Sequence, residues 1–170
     1  IESLPHRSIA VERAYQKAAY LKGTEHYNKE EYALAASMFE KSIQVPIDPL
    51  ILPEASFWLG ETYAVGRRYE EAAPYYEKAL GQHSIPPDLL VSIRYGLGYT
   101  RYNLQQYDKA LINFKHFVQR GGKHPAMADG LLRLADCQYV LKSYGEALNS
   151  YRRVVQLKTP DSEYARLQSG

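Results

Sequence analysis

The chain has 170 residues, a length that suits one ordinary domain with a continuous core. It contains 45% hydrophobic and 24% charged residues, a composition typical of folded globular proteins, which excludes a disordered chain. The formal net charge of +2 gives no electrostatic reason to expect binding to nucleic acid or to an anionic membrane.

Three simple sequence features narrow the class of protein further. The single cysteine, Cys137, excludes an internal disulfide bond. No apolar run approaches the roughly 20 residues that a membrane-spanning helix needs, so no direct membrane insertion is expected. The chain begins with Ile1 rather than with methionine, from which we expect it to be a piece of a longer protein, so the lack of a visible signal peptide proves nothing.

Amphipathic patterning predicts pairs of helices along the whole chain. In the third pair, for example, Leu90, Ile93 and Leu97 recur at helical spacing. Prolines stand near the predicted starts of the first helices, where a missing backbone N–H costs little. We predict helices at about 7–28, 32–45, 50–65, 69–82, 87–103, 107–120, 125–141 and 144–157, and the start of a further helix at about 161–170.

A four-fold repeat sets the register of these pairs. A glycine or alanine is followed by tyrosine, alanine and an aromatic residue at fixed spacing, and the tyrosines are 37, 38 and 37 residues apart. This period is typical of stacked helix pairs, in which small residues allow close approach and the last aromatic fills the space between adjacent repeats. The copies are Gly23-Tyr32-Ala35-Phe39, Gly60-Tyr69-Ala72-Tyr76, Gly98-Tyr107-Ala110-Phe114 and Ala135-Tyr144-Ala147-Tyr151.

These repeated residues resemble the tetratricopeptide repeat. The second copy is the most complete match, since Leu59-Gly60 also precedes Tyr63 at the family's spacing. The resemblance implies an all-α, right-handed α-solenoid of four helix pairs plus a partial C-terminal helix, in a single domain over residues 1–170. Repeats are expected at about 8–46, 50–83, 87–121 and 125–158, with 161–170 as the start of a further helix.

Two departures from the family pattern point to a particular branch. The large residue near the start of the first helix is replaced by Ala19, Ser56 and Arg94, and the period exceeds the usual ~34 residues. Long spacing with proline-initiated helices resembles bacterial envelope members of the family, the outer-membrane assembly lipoproteins and Tol–Pal accessory proteins. That resemblance implies a location in the periplasm or at the outer membrane, which the residues themselves leave open.

The resemblance also places the first helix of each repeat on a concave face and predicts a groove that binds peptides. Tyrosine suits such a groove because its rigid apolar ring carries a hydroxyl that can bond a peptide backbone. Some of these rings could instead pack on the neighbouring repeat. The predicted groove residues are Tyr20, Tyr27, Asn28, Phe57, Glu61, Tyr95, Tyr99, Tyr102, Asn103, Leu132, Asp136 and Tyr139.

The charges and motifs limit the partner further. Glu61 and Asp136 would repel a C-terminal carboxylate, so we do not expect the partner class of the chaperone-binding relatives. Cys137 stands where other repeats have threonine, which favours a small buried residue over a reactive thiol. No phosphate-binding loop or metal-ligand spacing is present, so we predict no catalysis, cofactor or metal.

We therefore expect a non-catalytic scaffold for protein–protein interaction that binds peptide segments of a protein partner. The alternative is a self-assembling module that forms homo-oligomers through exposed solenoid ends. Single-stranded RNA is a less favoured partner, because no basic stripe recurs at one position of the repeat and acidic residues occupy the predicted groove.

Overall fold

The computed structural model describes residues 8–157 and 161–169, and every regular element in these ranges is an α-helix. The helix ends agree with the predicted ones to within about two residues, as sequence patterns allow. Predicted helix residues 7 and 170 and the predicted repeat end at 158 lie outside the described residues. The helices are α1 (Ile9–Asn28), α2 (Tyr32–Gln44), α3 (Ile51–Val65), α4 (Tyr69–Leu80), α5 (Pro87–Asn103), α6 (Tyr107–Arg120), α7 (Met127–Val140), α8 (Tyr144–Gln156) and α9 (Asp161–Ser169).

The helices group into two compact units, which we call the N-unit (residues 1–85, with α1–α4) and the C-unit (residues 86–170, with α5–α9). Within each unit, consecutive helices pack against each other, and the two first helices also touch: α1 with α3, and α5 with α7. Matching residues of the two units lie 75 positions apart, as Tyr20 and Tyr95 do. Each unit therefore contains two helix pairs of the predicted kind.

The turn inside each helix pair has the same geometry four times. The N–H of Glu31 bonds to the carbonyl of His26 at 2.9 Å, and the N–H of Glu30 bonds to the carbonyl of Tyr27 at 2.9 Å. This is the Schellman arrangement, which satisfies carbonyls at the end of a helix and needs one residue in the left-handed region. The left-handed residues are Glu30 (φ 60°), Arg67 (φ 57°), Gln105 (φ 58°) and Lys142 (φ 63°), and none of them is glycine.

The repeated glycines bring the two helices of a pair together. A Cβ added to Gly23 would lie 2.6 Å from the ring of Phe39, too close for any side chain without a shift of the ring. Phe39 is fully buried and also belongs to a cluster with Leu59 of the next repeat. The ring thus fills space both within its pair and between adjacent repeats. Similar contacts, at 3.0 Å, join Gly60 to Tyr76 and Gly98 to Phe114.

In the N-unit, a polar network closes the junction between the two helix pairs. Gln16 is fully buried, and its Oε1 accepts the backbone N–H groups of Ile47 at 3.1 Å and Asp48 at 2.6 Å. The hydroxyl of Ser42 donates to the Gln16 carbonyl at 3.0 Å. The loop between α2 and α3 is therefore tied to α1 by hydrogen bonds.

In the C-unit, an aromatic ring occupies the matching junction. Phe117 stands 75 positions after Ser42, is fully buried, and has its ring centre 5.1 Å from that of Tyr95 and 5.2 Å from that of His124. A Cβ added to Gly130 would lie 2.3 Å from the Phe117 ring. The corresponding residue of the N-unit, Ala55, carries a Cβ, and the position that matches Phe117 holds Ser42. Apolar packing therefore replaces the hydrogen-bond network.

Candidate peptide-binding faces

The first helices of the N-unit, α1 and α3, carry aromatic and acidic side chains where they meet; we call this surface the N-face. The hydroxyl of Tyr20 on α1 donates to the Glu54 carboxylate on α3. The ring of Tyr27 meets the ring of Trp58 edge-on, with 5.0 Å between centroids. Burial raises the pKa of Tyr27 to about 12, and the nearby Glu61 carboxylate adds to that shift. The tyrosines of the N-face therefore stay neutral donors at physiological pH.

Glu61 is held from the second helix of its own repeat. Its Oε1 accepts a hydrogen bond of 2.6 Å from the Tyr76 hydroxyl on α4. Burial raises the pKa of the Glu61 carboxyl above its ordinary value, although this hydrogen bond opposes the shift. Its neighbour Phe57 is buried as well, with its ring centroid 6.1 Å from that of Tyr76. Both predicted groove residues are thus packed against α4.

The corresponding surface of the C-unit lies on α5 and α7, and we call it the C-face. The Tyr95 hydroxyl donates to Asp129 at 2.8 Å, and the Tyr102 hydroxyl donates to Asp136 at 3.3 Å. In each pair the tyrosine is 34 residues before the carboxylate, as with Tyr20 of the N-face. Burial raises the pKa of Tyr102 to about 12, with a further contribution from Asp136. The two faces thus share one pairing of tyrosine with carboxylate.

Arg133 distinguishes the C-face from the N-face. Its Nε lies 3.3 Å from Asp129, its Nη1 donates to Asp136 at 3.2 Å, and its guanidinium sits over the Tyr102 ring, 5.3 Å from the centroid. Although burial disfavours its charge, Asp129 and then Tyr102 and Asp136 raise the pKa of Arg133 above its ordinary value. In the N-face the matching residue is Trp58.

Asp136 is bound from a second side as well. It is only 6% exposed, and its Oδ1 accepts a hydrogen bond of 2.8 Å from the Tyr151 hydroxyl on α8, as Glu61 does from α4. In the two other repeats the corresponding position holds Thr24 or Tyr99, and the partner helix carries phenylalanine instead of tyrosine. A repeat with a carboxylate at this position therefore also has tyrosine on its second helix, and this correlation can be seen by aligning the four repeats.

The structure places the predicted groove residues at three depths. Asn28, Asn103 and Tyr139 are exposed. The half-buried residues are Tyr20, Tyr27, Glu61, Tyr95, Tyr99 and Tyr102. Phe57, Leu132 and Asp136 are buried within their own units, so they support the faces from below rather than form their outer surface. Sequence reasoning missed Trp58 and Arg133. Aligning the two units with an offset of 75 residues would have shown that these two residues occupy the same position.

Three further features concern metal ligands, membrane-spanning helices and the cysteine. Residues 8–157 and 161–169 contain no cluster of three histidine, cysteine or acidic side chains arranged to hold a metal ion. None of the helices described here combines the length and the apolar character needed to cross a bilayer. Cys137 is fully buried, as predicted, and burial raises the pKa of its thiol to about 12.

Paired helices at a fixed period, with the same turn in all four pairs and a glycine facing a ring in three of them, define a helical-repeat protein. The chain belongs to the tetratricopeptide repeat family, whose model matches residues 20–86 and 95–162. The two matches begin 75 residues apart, in agreement with the two units. The predicted all-α fold class is confirmed.

Solved structures with a similar fold support this assignment. One is YrrB, described as a TPR protein with an unusual peptide-binding site (TM-score 0.77, 20% identity, 96% of this chain and 80% of that chain covered). Another is MamA AMB-1 (TM-score 0.72, 19% identity, 91% and 78% covered). A third contains the nearly identical TPR-like repeats of a putative kinesin light chain from Podosopora anserina (TM-score 0.65, 14% identity, 98% and 86% covered). A search among curated proteins finds no match.

Proposed function

We propose that the chain is a non-catalytic scaffold that binds peptide segments of partner proteins on the N-face and the C-face. The observation that carries this proposal is the repeated pairing of half-buried tyrosines with carboxylates: Tyr20 with Glu54, Tyr95 with Asp129, and Tyr102 with Asp136. A ring held in one orientation presents a flat apolar surface at little further entropic cost, which favours binding. The peptide-binding site described for the similarly folded YrrB supports the same class of partner.

Exposed polar groups at the ends of the first helices suit a peptide backbone. Asn28 and Asn103 are the last residues of α1 and α5, and both are exposed. The Asn103 side chain donates to the carbonyl of Tyr99 at 2.8 Å, which fixes its amide at the helix end. Since a primary amide offers both a donor and an acceptor, it can pair with a peptide group.

The proposal is tested by selecting peptides from a display library with the whole chain and measuring the affinity of alanine variants. We expect Tyr99→Ala and Tyr139→Ala to weaken peptides bound at the C-face by roughly tenfold, as the loss of an aromatic contact implies. Ile112→Ala on α6 serves as the control, because Ile112 is exposed and lies on a second helix. Unchanged affinity of every selected peptide for these two variants and for Tyr27→Ala on the N-face would contradict the proposal.

Self-association is the second candidate function. It is favoured by a depression between α1 and α2 that is lined by both apolar side chains and lysines. Light scattering over a concentration series separates the two candidates, since a strict monomer contradicts self-association. The depression is lined by Tyr15, Ala18, Ala19, Lys22, Met38 and Lys41.

The remaining expectations about partner and location stay predictions. We propose no role in RNA binding, because carboxylates recur on both faces and would repel a phosphate backbone. Arg133 does not alter this, since it is already paired with two of those carboxylates. A bacterial envelope location is likewise a prediction from the family resemblance alone.

A further inference from the structure

Two acidic side chains of the N-face, Glu54 and Glu61, are held by tyrosine hydroxyls. Glu54 and Glu61 lie one turn before and one turn after Trp58 on α3, so all three share one side of the helix. The hydroxyls of Tyr20 and Tyr76 donate to these carboxylates but bring no positive charge. Among the described residues, no lysine, arginine or histidine lies within ion-pair distance of either carboxylate. Within residues 8–157 and 161–169, the negative charge beside the indole ring is therefore uncompensated.

The C-face shows which chemical group fits this arrangement. Asp129, Arg133 and Asp136 have the same spacing on α7 as the three residues on α3. The Arg133 guanidinium lies between the two carboxylates, 3.3 Å and 3.2 Å away, and over the ring of Tyr102, which corresponds to Tyr27. Matching residues thus hold a guanidinium in one unit and none in the other.

We infer that the N-face binds an arginine side chain of a partner peptide, with its guanidinium on the Trp58 ring between Glu54 and Glu61. Tryptophan provides the strongest aromatic surface for a cation, and the planar guanidinium can donate to two carboxylates at once. The C-face does not need such a partner, because Arg133 supplies the cation from within. The inference rests on the proposed function, since it names the side chain that one of the two faces recognises.

The single tryptophan of the chain reports directly on this site. Short blocked glycine–serine peptides with one central arginine, lysine or citrulline are titrated into the whole chain while Trp58 fluorescence is followed. Citrulline has the shape of arginine without its charge. We expect saturable quenching by the arginine peptide, weaker binding of the lysine peptide, and a loss of at least about tenfold with citrulline. Equal binding of the arginine and citrulline peptides would overturn the inference.

Charge-neutral variants on and off the N-face provide a matched control. Glu54→Gln and Glu61→Gln should each weaken the arginine peptide by roughly threefold or more, whereas Glu70→Gln, which changes an exposed carboxyl on the second helix α4, should leave the Trp58 titration unchanged. Circular dichroism verifies that each variant stays helical. If Glu54→Gln and Glu61→Gln bind the arginine peptide as tightly as the unchanged chain, the inference is wrong.

Exchanging Trp58 and Arg133 between the N-face and the C-face tests whether this position decides where the arginine peptide binds. Trp58→Arg gives the N-face its own guanidinium, so calorimetry should show no remaining site for the arginine peptide. Arg133→Trp removes the internal cation of the C-face and should raise the number of sites from one to two. An unchanged number of sites in both folded variants would overturn the inference.

The outcomes also separate this inference from the proposed function. Peptides selected by display that bind the faces equally well after arginine is exchanged for citrulline would contradict the inference and leave the scaffold proposal standing. If the library yields no peptide that binds either face and the arginine peptide does not quench Trp58, both proposals fail.

Discussion

The N-unit and the C-unit follow the same 75-residue pattern and close their internal junctions with opposite chemistry. In the N-unit, the Gln16 side chain and the Ser42 hydroxyl bind backbone groups across the junction. In the C-unit, Phe117 fills this space and packs against Gly130. The comparison teaches that the residues at such a junction change together. The Phe117 ring fits only because Gly130 has no Cβ, whereas the smaller Ser42 leaves room for the methyl group of Ala55.

The two faces show the same kind of exchange at the surface. Trp58 on α3 and Arg133 on α7 stand at matching positions, and each lies against a tyrosine, Tyr27 or Tyr102. Only the arginine also neutralises the neighbouring carboxylates. One framework therefore carries a face with its own cation and a face without one, and the difference depends on a single residue.

The largest expected effect comes from removing the aromatic ring at the C-unit junction. Phe117→Ala should lower the free energy of unfolding by about 3–5 kcal/mol, because it leaves a cavity in a fully buried site. The matched change in the N-unit, Ser42→Ala, removes one hydrogen bond and should cost about 1 kcal/mol. Urea unfolding followed by circular dichroism measures both. Similar losses at the two junctions would contradict the assignment of opposite chemistry.

The next largest effect concerns the polar network of the N-unit. Gln16→Ala leaves the N–H groups of Ile47 and Asp48 without their acceptor and should cost about 2–3 kcal/mol. Hydrogen exchange should accelerate at these two amides in particular. The control is Val91→Ala in the C-unit, since Val91 matches Gln16 and is only half-buried. Unaltered exchange at Ile47 and Asp48 would show that the network does not hold the loop.

A third change tests the fit between ring and glycine. Gly130→Ala forces a Cβ against the Phe117 ring and should cost about 1–3 kcal/mol. In a Phe117→Ser background, which reproduces the N-unit residue, the ring is gone. The same substitution should then cost less than about 1 kcal/mol or even stabilise the protein by up to about 1 kcal/mol, because alanine has a higher helix propensity than glycine. A double-mutant cycle from urea unfolding measures the coupling. Additive free energies would contradict direct packing of Phe117 on Gly130.

The smallest expected effect should be the same in both units. Glu30→Gly in the N-unit and Gln105→Gly in the C-unit remove the strain of a side chain in the left-handed region. Each should raise the free energy of unfolding by about 0.5–1 kcal/mol, a net value that includes the greater freedom of glycine in the unfolded chain. Urea unfolding provides the measurement, and Gln106→Gly, at a negative φ of −86° directly after Gln105, is the control. Opposite signs in the two units would show that the turns are not equivalent.

The helix pairs could be predicted from sequence because their determinants are local and repeated. Apolar spacing and the small residues at Gly23, Gly60 and Gly98 gave helix ends that agree to within about two residues. The contacts between helices were harder, because a tyrosine and its carboxylate stand 34 residues apart and nothing local links them. The half-buried tyrosines illustrate this, since whether a ring lines a surface or packs inward depends on the facing helix.

The residues of the two candidate faces that sequence reasoning missed were those with the least obvious chemistry. Trp58 has the appearance of an ordinary core residue, and Arg133 that of a solvated charge. Only the structure shows Arg133 between Asp129 and Asp136, and only the match between units connects it to Trp58. The sequence already showed that two repeats have tyrosine, Tyr76 and Tyr151, where the others have phenylalanine. The reason is an acidic partner on the adjacent helix, and only the structure reveals that contact.

The linked residues at the junctions have a consequence for recombination of the gene. A crossover between the two units at the end of their first repeats would join Phe117 to a helix that carries Ala55, and the added methyl group would collide with the ring. The reciprocal product would join Ser42 to Gly130 and leave a void. A crossover that moves a whole unit keeps each set intact. The pair of repeats is thus the smallest segment that duplication or shuffling can transfer with its internal junction intact.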